Sequence, residues 1–273
     1  MTYLIIILIL LVVLMFKFKV KIKLKSFLKK GFLPSRGKFG IYCYCGKQGK
    51  GKTYSVVEYM LDNKKNSIYL CNVGGISNVD YFLFTGFKEL IYLKEIIDYN
   101  FTDNDDLFKF INDRFNIIRS EKLLYLILDY KKNNKQLVFV YDEIFTELQK
   151  KSVISKDVMD FLCQMRKRKI IFLTTAQEWA EIPLTFRRFC RFEIDCQMLN
   201  LFVVGVLIKN FKDAENMKWS DEDQEFIAPL ISNTVTKCRK NVATSYDTFL
   251  RISSASVDVP FSNVTPEGEG KCN

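Results

Sequence analysis

One glycine-rich segment constrains this chain more than any other part of its sequence. It reads G-x-x-x-x-G-K-T and runs from Gly46 to Thr53. The apolar stretch 39–45 before it has the length of a buried strand, and a helical pattern starts at Tyr54. This strand–loop–helix order is the context in which the motif binds phosphate. The sequence therefore predicts a phosphate-binding loop for a nucleoside triphosphate.

Each residue type in this loop has a physical task. Backbone amides of a glycine-rich turn point inward and, with the N-terminus of the next helix, attract phosphate. Lys52 is predicted to reach the β- and γ-phosphates of ATP, and the Thr53 hydroxyl to ligate Mg²⁺. The predicted nucleotide-binding residues are Gly46, Gly49, Lys50, Gly51, Lys52, Thr53 and Tyr54. A basic, glycine-rich surface turn is the alternative interpretation.

A second apolar run, 136–141, ends in two acids. The run is too short for a core helix and favours a strand. Asp142 is predicted to bind Mg²⁺ through water, and Glu143 to polarise the water that attacks the γ-phosphate. The alternative is an ordinary polar strand end, but the phosphate-binding loop upstream favours the metal-binding and catalytic interpretation.

A third apolar run, 169–175, leads to Gln177. In ring ATPases and recombinase-like cores, a polar side chain at this position senses the γ-phosphate. Gln177 is therefore predicted to act with Lys52 and Glu143 in catalysis. Thr174 and Thr175 are the second-choice candidates for the residue that senses the γ-phosphate. A polar residue that only caps the next turn is an equal alternative.

Arginines flank this third run, and an arginine from a neighbouring subunit can stabilise a transferring phosphoryl group. Arg188 and Arg191 are the candidates for that role. Most of the surrounding basic residues are expected to be solvated or to contact nucleic acid.

The composition is basic and excludes histidine chemistry. The net charge is +10, and no acidic residue precedes Glu58. Such a balance indicates an anionic partner, nucleic acid or a membrane surface, although scattered lysines also keep a protein soluble. The absence of histidine removes histidine bases and metal ligands. The cysteines, of which Cys43, Cys45, Cys190 and Cys196 lie in strand-like runs, are expected to be small buried residues of a reducing compartment.

The N-terminus is predicted to anchor the chain in a membrane. Residues 4–16 are apolar without interruption, and alternating lysines follow from Lys17. The run alone is short for a span, but a helix over 1–22 gains length if its lysines snorkel to the interface. Positive charge after the helix predicts a single-pass protein whose C-terminal domain is cytoplasmic. A buried N-terminal helix or strand is the alternative. The basic linker 23–38 is expected on anionic lipid, with nucleic acid a weaker option.

The rest of the chain predicts alternating strands and helices. A strand is expected at 67–72, helices mainly at 81–99 and 106–130, and a hairpin from the strands 190–198 and 201–208. This order predicts an α/β fold, a P-loop NTPase domain over 39–252 with a mostly parallel sheet flanked by helices. The polar segment 253–273 is expected to be a flexible tail.

Over residues 39–198 the chain resembles the zonula occludens toxin-like ATPases, which include filamentous-phage assembly proteins and are related to the FtsK/HerA group of DNA-pumping ATPases. The resemblance rests on the loop 46–53 with Tyr54-Ser55, the turn 71–75, the run 140–143, the segment 174–177, and the stretch from Ile182-Pro183 to Arg188. Members commonly place one membrane helix after the ATPase domain, whereas the candidate helix here comes first.

The resemblance implies an ATPase on the cytoplasmic face of the host inner membrane that moves DNA during virion assembly. It implies ATP and Mg²⁺ as cofactors, and DNA, other virion-assembly proteins and further copies of the chain in a ring as partners. Two alternatives stay open. One is a nucleotide-switch NTPase that scaffolds a membrane-bound assembly or secretion complex, and the other is an assembly protein that uses nucleotide only structurally.

Overall fold

The computed structural model describes residues 38–98, 103–113, 115–148, 154–201 and 204–246. The predicted anchor 1–22, all but the last residue of the linker 23–38, and the tail 253–273 lie outside these ranges. No helix within the described ranges is long and apolar enough to cross a membrane. The membrane anchor therefore stays a prediction.

Ten strands are present in the described residues: β1 (Gly40–Cys45), β2 (Ser67–Cys71), β3 (Tyr81–Leu83), β4 (Gln136–Tyr141), β5 (Ile171–Ala176), β6 (Cys190–Leu201), β7 (Val204–Asp213), β8 (Lys218–Ser220), β9 (Glu225–Ile227) and β10 (Leu230–Lys237). Eight of them form one sheet in the order β10-β7-β6-β1-β5-β4-β2-β3. Strands β1 to β6 are parallel, whereas β7 is antiparallel to β6 and to β10. The predicted mostly parallel sheet is confirmed.

Seven α-helices accompany the strands within the described ranges: α1 (Lys52–Asn63), α2 (Phe87–Asp98), α3 (Asn104–Asn112), α4 (Ile117–Asn133), α5 (Lys156–Gln164), α6 (Leu184–Phe189) and α7 (Lys240–Ala243). Their apolar sides form two separate cores. Residues of α2, α4 and α5 join one core, and residues of α1 join the other. The sheet is thus covered on both faces, which is why its parallel strands are apolar almost throughout.

Strand β1 shows how one segment serves both cores. Ile41, Cys43 and Cys45 face the core of α2, α4 and α5, while Tyr42 and Tyr44 face the core of α1. This is the alternation of a strand with two buried faces. The free thiols Cys43, Cys45, Cys190 and Cys196 are all buried, as their place in apolar strands predicts.

The predicted helix 81–99 is wrong at its start, where residues 81–83 pair with β2 as strand β3. The helix begins only at Phe87. At its start, the amide and the hydroxyl of Thr85 donate hydrogen bonds to the carboxylate of Glu89 in the first turn. The predicted helix 106–130 is two helices, because Asn116 caps a new one with its side chain. Strands β8, β9 and β10 were not anticipated.

The hairpin of β6 and β7 is confirmed, with longer strands than predicted. Register pairs continue to Leu201 and Val204, so both strands extend past residues 199–200, where the sequence pattern places the turn. More important for function is the position of β5 between β1 and β4. The carboxyl ends of these three parallel strands share one edge, and the loop, the acid pair and Gln177 follow them there.

The aromatic core beneath this edge is predicted to carry much of the stability. Phe172 is fully buried, and the centroid of its ring lies 6.2–6.4 Å from the ring centroids of Phe87, Phe139 and Phe161. Phe172→Ala should lower the free energy of unfolding by about 3–5 kcal/mol through lost burial and a cavity. Urea unfolding measures this, with Phe110→Ala as the matched control, because Phe110 is 45% exposed. Equal losses in the two variants would contradict the assignment of the core.

Candidate nucleotide-binding site

The loop 46–53 has a backbone that requires glycine. Gly46, Gly49 and Gly51 have φ angles of 147°, 74° and 86°. A Cβ on Gly46 would lie 2.7 Å from the carbonyl oxygen of Cys196, and one on Gly51 would lie 2.8 Å from Cδ1 of Leu207. Both glycines are therefore required by their backbone conformation, and Gly46 is also required by its close approach to the backbone of Cys196.

The first turn of α1 leaves its amides for a ligand. Gly51 precedes α1 in the left-handed conformation, and no side chain caps the helix. The unpaired N–H groups and the positive end of the helix dipole form an anion site. Lys52 is buried and its Nζ donates to the carbonyl oxygen of Lys47 at 3.3 Å, so the ammonium group folds back over the loop.

Strand β5 holds the start of the loop. The amide of Gly46 lies within hydrogen-bond distance of the carbonyl oxygens of Ala176, at 3.3 Å, and Gln177, at 3.1 Å. Gln177 also lines a cleft of about 410 Å³ with Gly46, Lys47 and Lys50. The structure thus brings Gln177 to the loop, and its sensing of a γ-phosphate stays a prediction.

The Asp142 carboxylate joins the loop to the acid pair. Thr53 Oγ1 donates to it at 3.1–3.2 Å from its two oxygens, across 89 residues of chain. Thr175 Oγ1 donates to Oδ1 of the same carboxylate at 2.5 Å. The structure therefore brings the two predicted metal ligands, Thr53 and Asp142, into direct contact at the carboxyl edge of the sheet.

Two side chains hold the turn at Asp142 and Glu143, and neither was predicted to do so. Asn72, at the end of β2, accepts from the Asp142 amide at 2.6 Å and donates to its carbonyl oxygen at 3.0 Å. The Glu143 amide donates to Thr175 Oγ1 at 2.8 Å, so one hydroxyl contacts both acids. Glu143 itself is exposed, with φ at 54°. The position of Asn72 directly after a strand was the only signal in the sequence.

Burial raises the pKa of Asp142 above its usual value, and several neighbours oppose that shift. Hydrogen bonds from Thr175 and Thr53 and the charge of Lys52 favour the carboxylate. A divalent cation would stabilise the ionised form in the same way. Among the described residues, no group of three or more acidic or cysteine side chains is arranged so that it could hold a metal ion by itself. One carboxylate and one hydroxyl beside a phosphate loop fit Mg²⁺, which takes few protein ligands and completes its shell with phosphates and water.

Three of the predicted side chains make contacts other than the ones predicted for them. The Tyr54 ring lies in the core of α1 and its hydroxyl accepts from the Arg239 amide at 2.6 Å, so this side chain turns away from the loop. Thr174 is buried and its hydroxyl donates to the Tyr141 carbonyl oxygen at 2.9 Å. Its side chain is therefore not placed to sense a phosphate group. Thr175 donates its hydroxyl hydrogen bond to the Asp142 carboxylate.

The two candidate arginines do not reach this site. Arg188 lies in α6 and Arg191 at the start of β6, whose first residues pair with the start of β1. Both belong to the edge where the parallel strands begin, opposite the loop. Arg191 donates to the Phe39 carbonyl oxygen at 3.1 Å. Only another subunit could bring either arginine to a phosphate group.

Loop, strand order and terminal acid together make this a P-loop NTPase fold. No protein-family model matches the chain, and no curated protein matches it. Among solved structures, the N-terminal domain of zonular occludens toxin from Neisseria meningitidis is similar at 15% identity and a TM-score of 0.40, over 76% of this chain and 98% of that chain.

Two further similar structures come from archaea and their viruses. The genome packaging NTPase B204 of Sulfolobus turreted icosahedral virus 2, in complex with ATP-gammaS, is 15% identical with a TM-score of 0.39, over 70% of this chain and 96% of that chain. A KaiC-like protein from Pyrococcus horikoshii is 10% identical with a TM-score of 0.38, over 79% and 96% of the two chains. Likenesses at this level carry no information about activity.

The hydroxyl of Thr175 is predicted to tune the pH at which the site binds a cation. Its hydrogen bond lowers the pKa of Asp142, so Thr175→Val should raise that pKa. Protons compete with Mg²⁺ for the carboxylate, and Mg²⁺-dependent nucleotide binding is therefore lost as pH falls through this pKa. In the variant the loss should occur at higher pH, as measured by titrating a fluorescent ATP analogue at several pH values.

Thr174→Val is the matched control for this titration. It removes a hydroxyl of the same strand whose hydrogen bond goes to the Tyr141 carbonyl oxygen instead of Asp142. Its pH midpoint should equal that of the unaltered chain. An upward shift in both variants, or in neither, would show that the contact between Thr175 and Asp142 does not govern cation binding.

Proposed function

We propose that this chain is a membrane-anchored, Mg²⁺-dependent P-loop ATPase that couples ATP hydrolysis to DNA translocation, packaging or extrusion in virion assembly. The observation that carries the nucleotide part of this proposal is the contact of Thr53 with Asp142 beside the loop. Two motifs that are distant in the chain meet there as one phosphate and cation site. The geometry fits ATP and Mg²⁺ in the arrangement used by other P-loop enzymes.

The residues divide the work of binding and catalysis. The loop amides and Lys52 hold the phosphates, and Thr53 and Asp142 hold the cation, which neutralises charge on the phosphates when bound. Glu143 accepts a proton from the attacking water, and its exposed position leaves the carboxylate accessible. Asn72 and Thr175 position the backbone of this turn. Catalysis would come from positioning and charge stabilisation.

The DNA, assembly and localisation parts rest on the sequence. The net charge of +10 suits a polyanionic partner, and the motifs resemble those of DNA-pumping and virion-assembly ATPases. A ring of copies is proposed because Arg188 and Arg191 lie at the edge of the sheet opposite this chain's own loop. We place the chain at the cytoplasmic face of the host inner membrane, held by a single pass over 1–22, with other virion-assembly proteins as partners.

Two substitutions separate binding from hydrolysis. Lys52→Ala should abolish ATP binding and turnover because it removes the buried cation of the loop. Glu143→Gln should keep ATP binding but lower kcat by about 10²–10⁴-fold, since it removes only the proton acceptor. A fluorescent-nucleotide titration and a phosphate-release assay on the full chain in detergent measure the two effects.

Lys65→Ala is the control for this pair, because Lys65 is an exposed lysine in the turn between α1 and β2. It should turn over ATP like the unaltered chain. Full turnover by Lys52→Ala would contradict the site. If Glu143→Gln preserved the function in assembly that Lys52→Ala destroys, nucleotide would serve a structural purpose only.

DNA should stimulate turnover, and the stimulation should weaken steeply with salt because phosphate contacts release counterions. Phosphate release is to be measured with single-stranded DNA, double-stranded DNA and no DNA from low to physiological salt. Turnover that neither DNA changes, together with nucleotide-dependent binding of a partner protein, would favour the nucleotide switch over the motor.

A further inference from the structure

The parallel strands begin at a strongly basic edge, called here the amino edge. It consists of the turns before β1, β2, β4, β5 and β6, together with the helix ends and the strand start that adjoin them. Its basic residues are Lys38, Lys64, Lys65, Lys131, Lys132, Lys135, Arg166, Lys167, Arg168, Lys169, Arg188 and Arg191. Five neighbouring strands at about 4.8 Å spacing make this a surface roughly 20 Å wide.

Part of this charge is neutralised within the fold. Ion pairs join Lys135 to Asp129, Arg166 to Glu215, and Arg168 to Asp98. Six other cations of the amino edge are exposed and make no ion pair with any described residue: Lys64, Lys65, Lys132, Lys167, Lys169 and Arg188. A strong positive field therefore remains at this edge.

The opposite edge has a different balance. The segments that follow β4 and β5 carry the acids Asp142, Glu143, Glu147, Glu178 and Glu181, which equal in number the lysines of the phosphate loop together with Lys150 and Lys151. The two edges are separated by the length of a six-residue strand, about 20 Å. The domain is thus polarised along its strands, with nucleotide chemistry at one end and unneutralised cations at the other.

The N-terminal part of the chain enters at the amino edge, because Lys38 directly precedes Phe39 and β1. The preceding linker has the same charge, with no acid before Glu58. At full extension its sixteen residues, 23–38, reach about 55 Å, so the tether alone would allow any orientation. Charge then decides which side of the domain faces an anionic bilayer.

We propose that the amino edge lies against the anionic lipid surface to which the chain is anchored, so that the nucleotide site faces away from the membrane. This rests on the membrane attachment in the proposed function. Single-stranded nucleic acid is the weaker partner for this edge, because the exposed large apolar side chains of the described residues lie elsewhere: Phe110, Ile117, Ile118, Tyr125, Trp219 and Val235. Binding of single strands usually combines cations with aromatic stacking platforms.

The native thiol Cys163 offers a probe of this orientation, since it is exposed and lies three residues before Arg166. The full chain with Cys238→Ser and Cys272→Ser would be labelled there and reconstituted in vesicles containing lipids with a headgroup nitroxide quencher. A second version with Cys163→Ser and Glu178→Cys carries the probe at the opposite edge. Phosphatidylserine vesicles should quench the Cys163 probe several-fold more than phosphatidylcholine vesicles, and the Glu178→Cys probe little in either.

Two charge-matched triple variants test the cause. Lys64→Glu/Lys65→Glu/Lys167→Glu should reduce quenching of the Cys163 probe to the level seen in phosphatidylcholine. Lys88→Glu/Lys237→Glu/Lys240→Glu changes exposed lysines away from the amino edge by the same net charge and should leave quenching unchanged. A purely global charge effect would lower quenching equally in the two variants and would overturn the proposal.

The remaining outcomes separate this inference from the proposed function. If the chain floats with vesicles but the two probes are quenched equally, the orientation is wrong and the attachment stands. If the chain does not float with vesicles at all, the attachment fails and the orientation with it. If the amino-edge variant loses binding to DNA while quenching of the Cys163 probe persists unchanged, the edge binds nucleic acid and its cations do not orient the domain on lipid.

Discussion

The convergence of two threonine hydroxyls on the Asp142 carboxylate is the constraint on which the site depends. Thr53 comes from the helix after the phosphate loop, Thr175 from the strand next to β1, and Asp142 from the strand beyond it. Burial disfavours the charged form of Asp142 and raises its pKa. The hydrogen bonds from the two threonines and the charge of Lys52 oppose that cost by stabilising the carboxylate. The strand order 1-5-4 at the centre of the sheet is what makes the contacts possible.

This arrangement gives β5 a larger role than its side chains suggest. The carbonyl oxygens at its end face the Gly46 amide, and its Thr175 hydroxyl contacts both acids of the turn after β4. The phosphate loop and the acid pair are therefore both held in place by contacts with β5. The loop and the turn at Asp142 and Glu143 thus share one framework, which limits small displacements of one relative to the other.

The sequence was sufficient for the loop, the acid pair and the parallel core, since each is encoded in a local run of strand or turn residues. It was insufficient where the deciding contact is distant. Strand β3 has three residues and no periodicity of its own, so only pairing with β2 reveals it. Asn72 and Thr175 look like ordinary strand ends, and their hydrogen bonds to Asp142 and Glu143 exist only after β2, β4 and β5 are adjacent.

The fit of the glycines against the outer hairpin has a mechanical consequence. A Cβ on Gly46 would lie 2.7 Å from the backbone carbonyl oxygen of Cys196 on β6, and one on Gly51 would meet the side-chain ends of Leu207 on β7 and Met198 on β6 at 2.8 and 3.0 Å. The two ends of the phosphate loop therefore pack closely on the β6–β7 hairpin, and close packing transmits displacement. A movement of the loop at Gly46 would act first on the backbone of β6 at Cys196, where the antiparallel margin of the sheet begins.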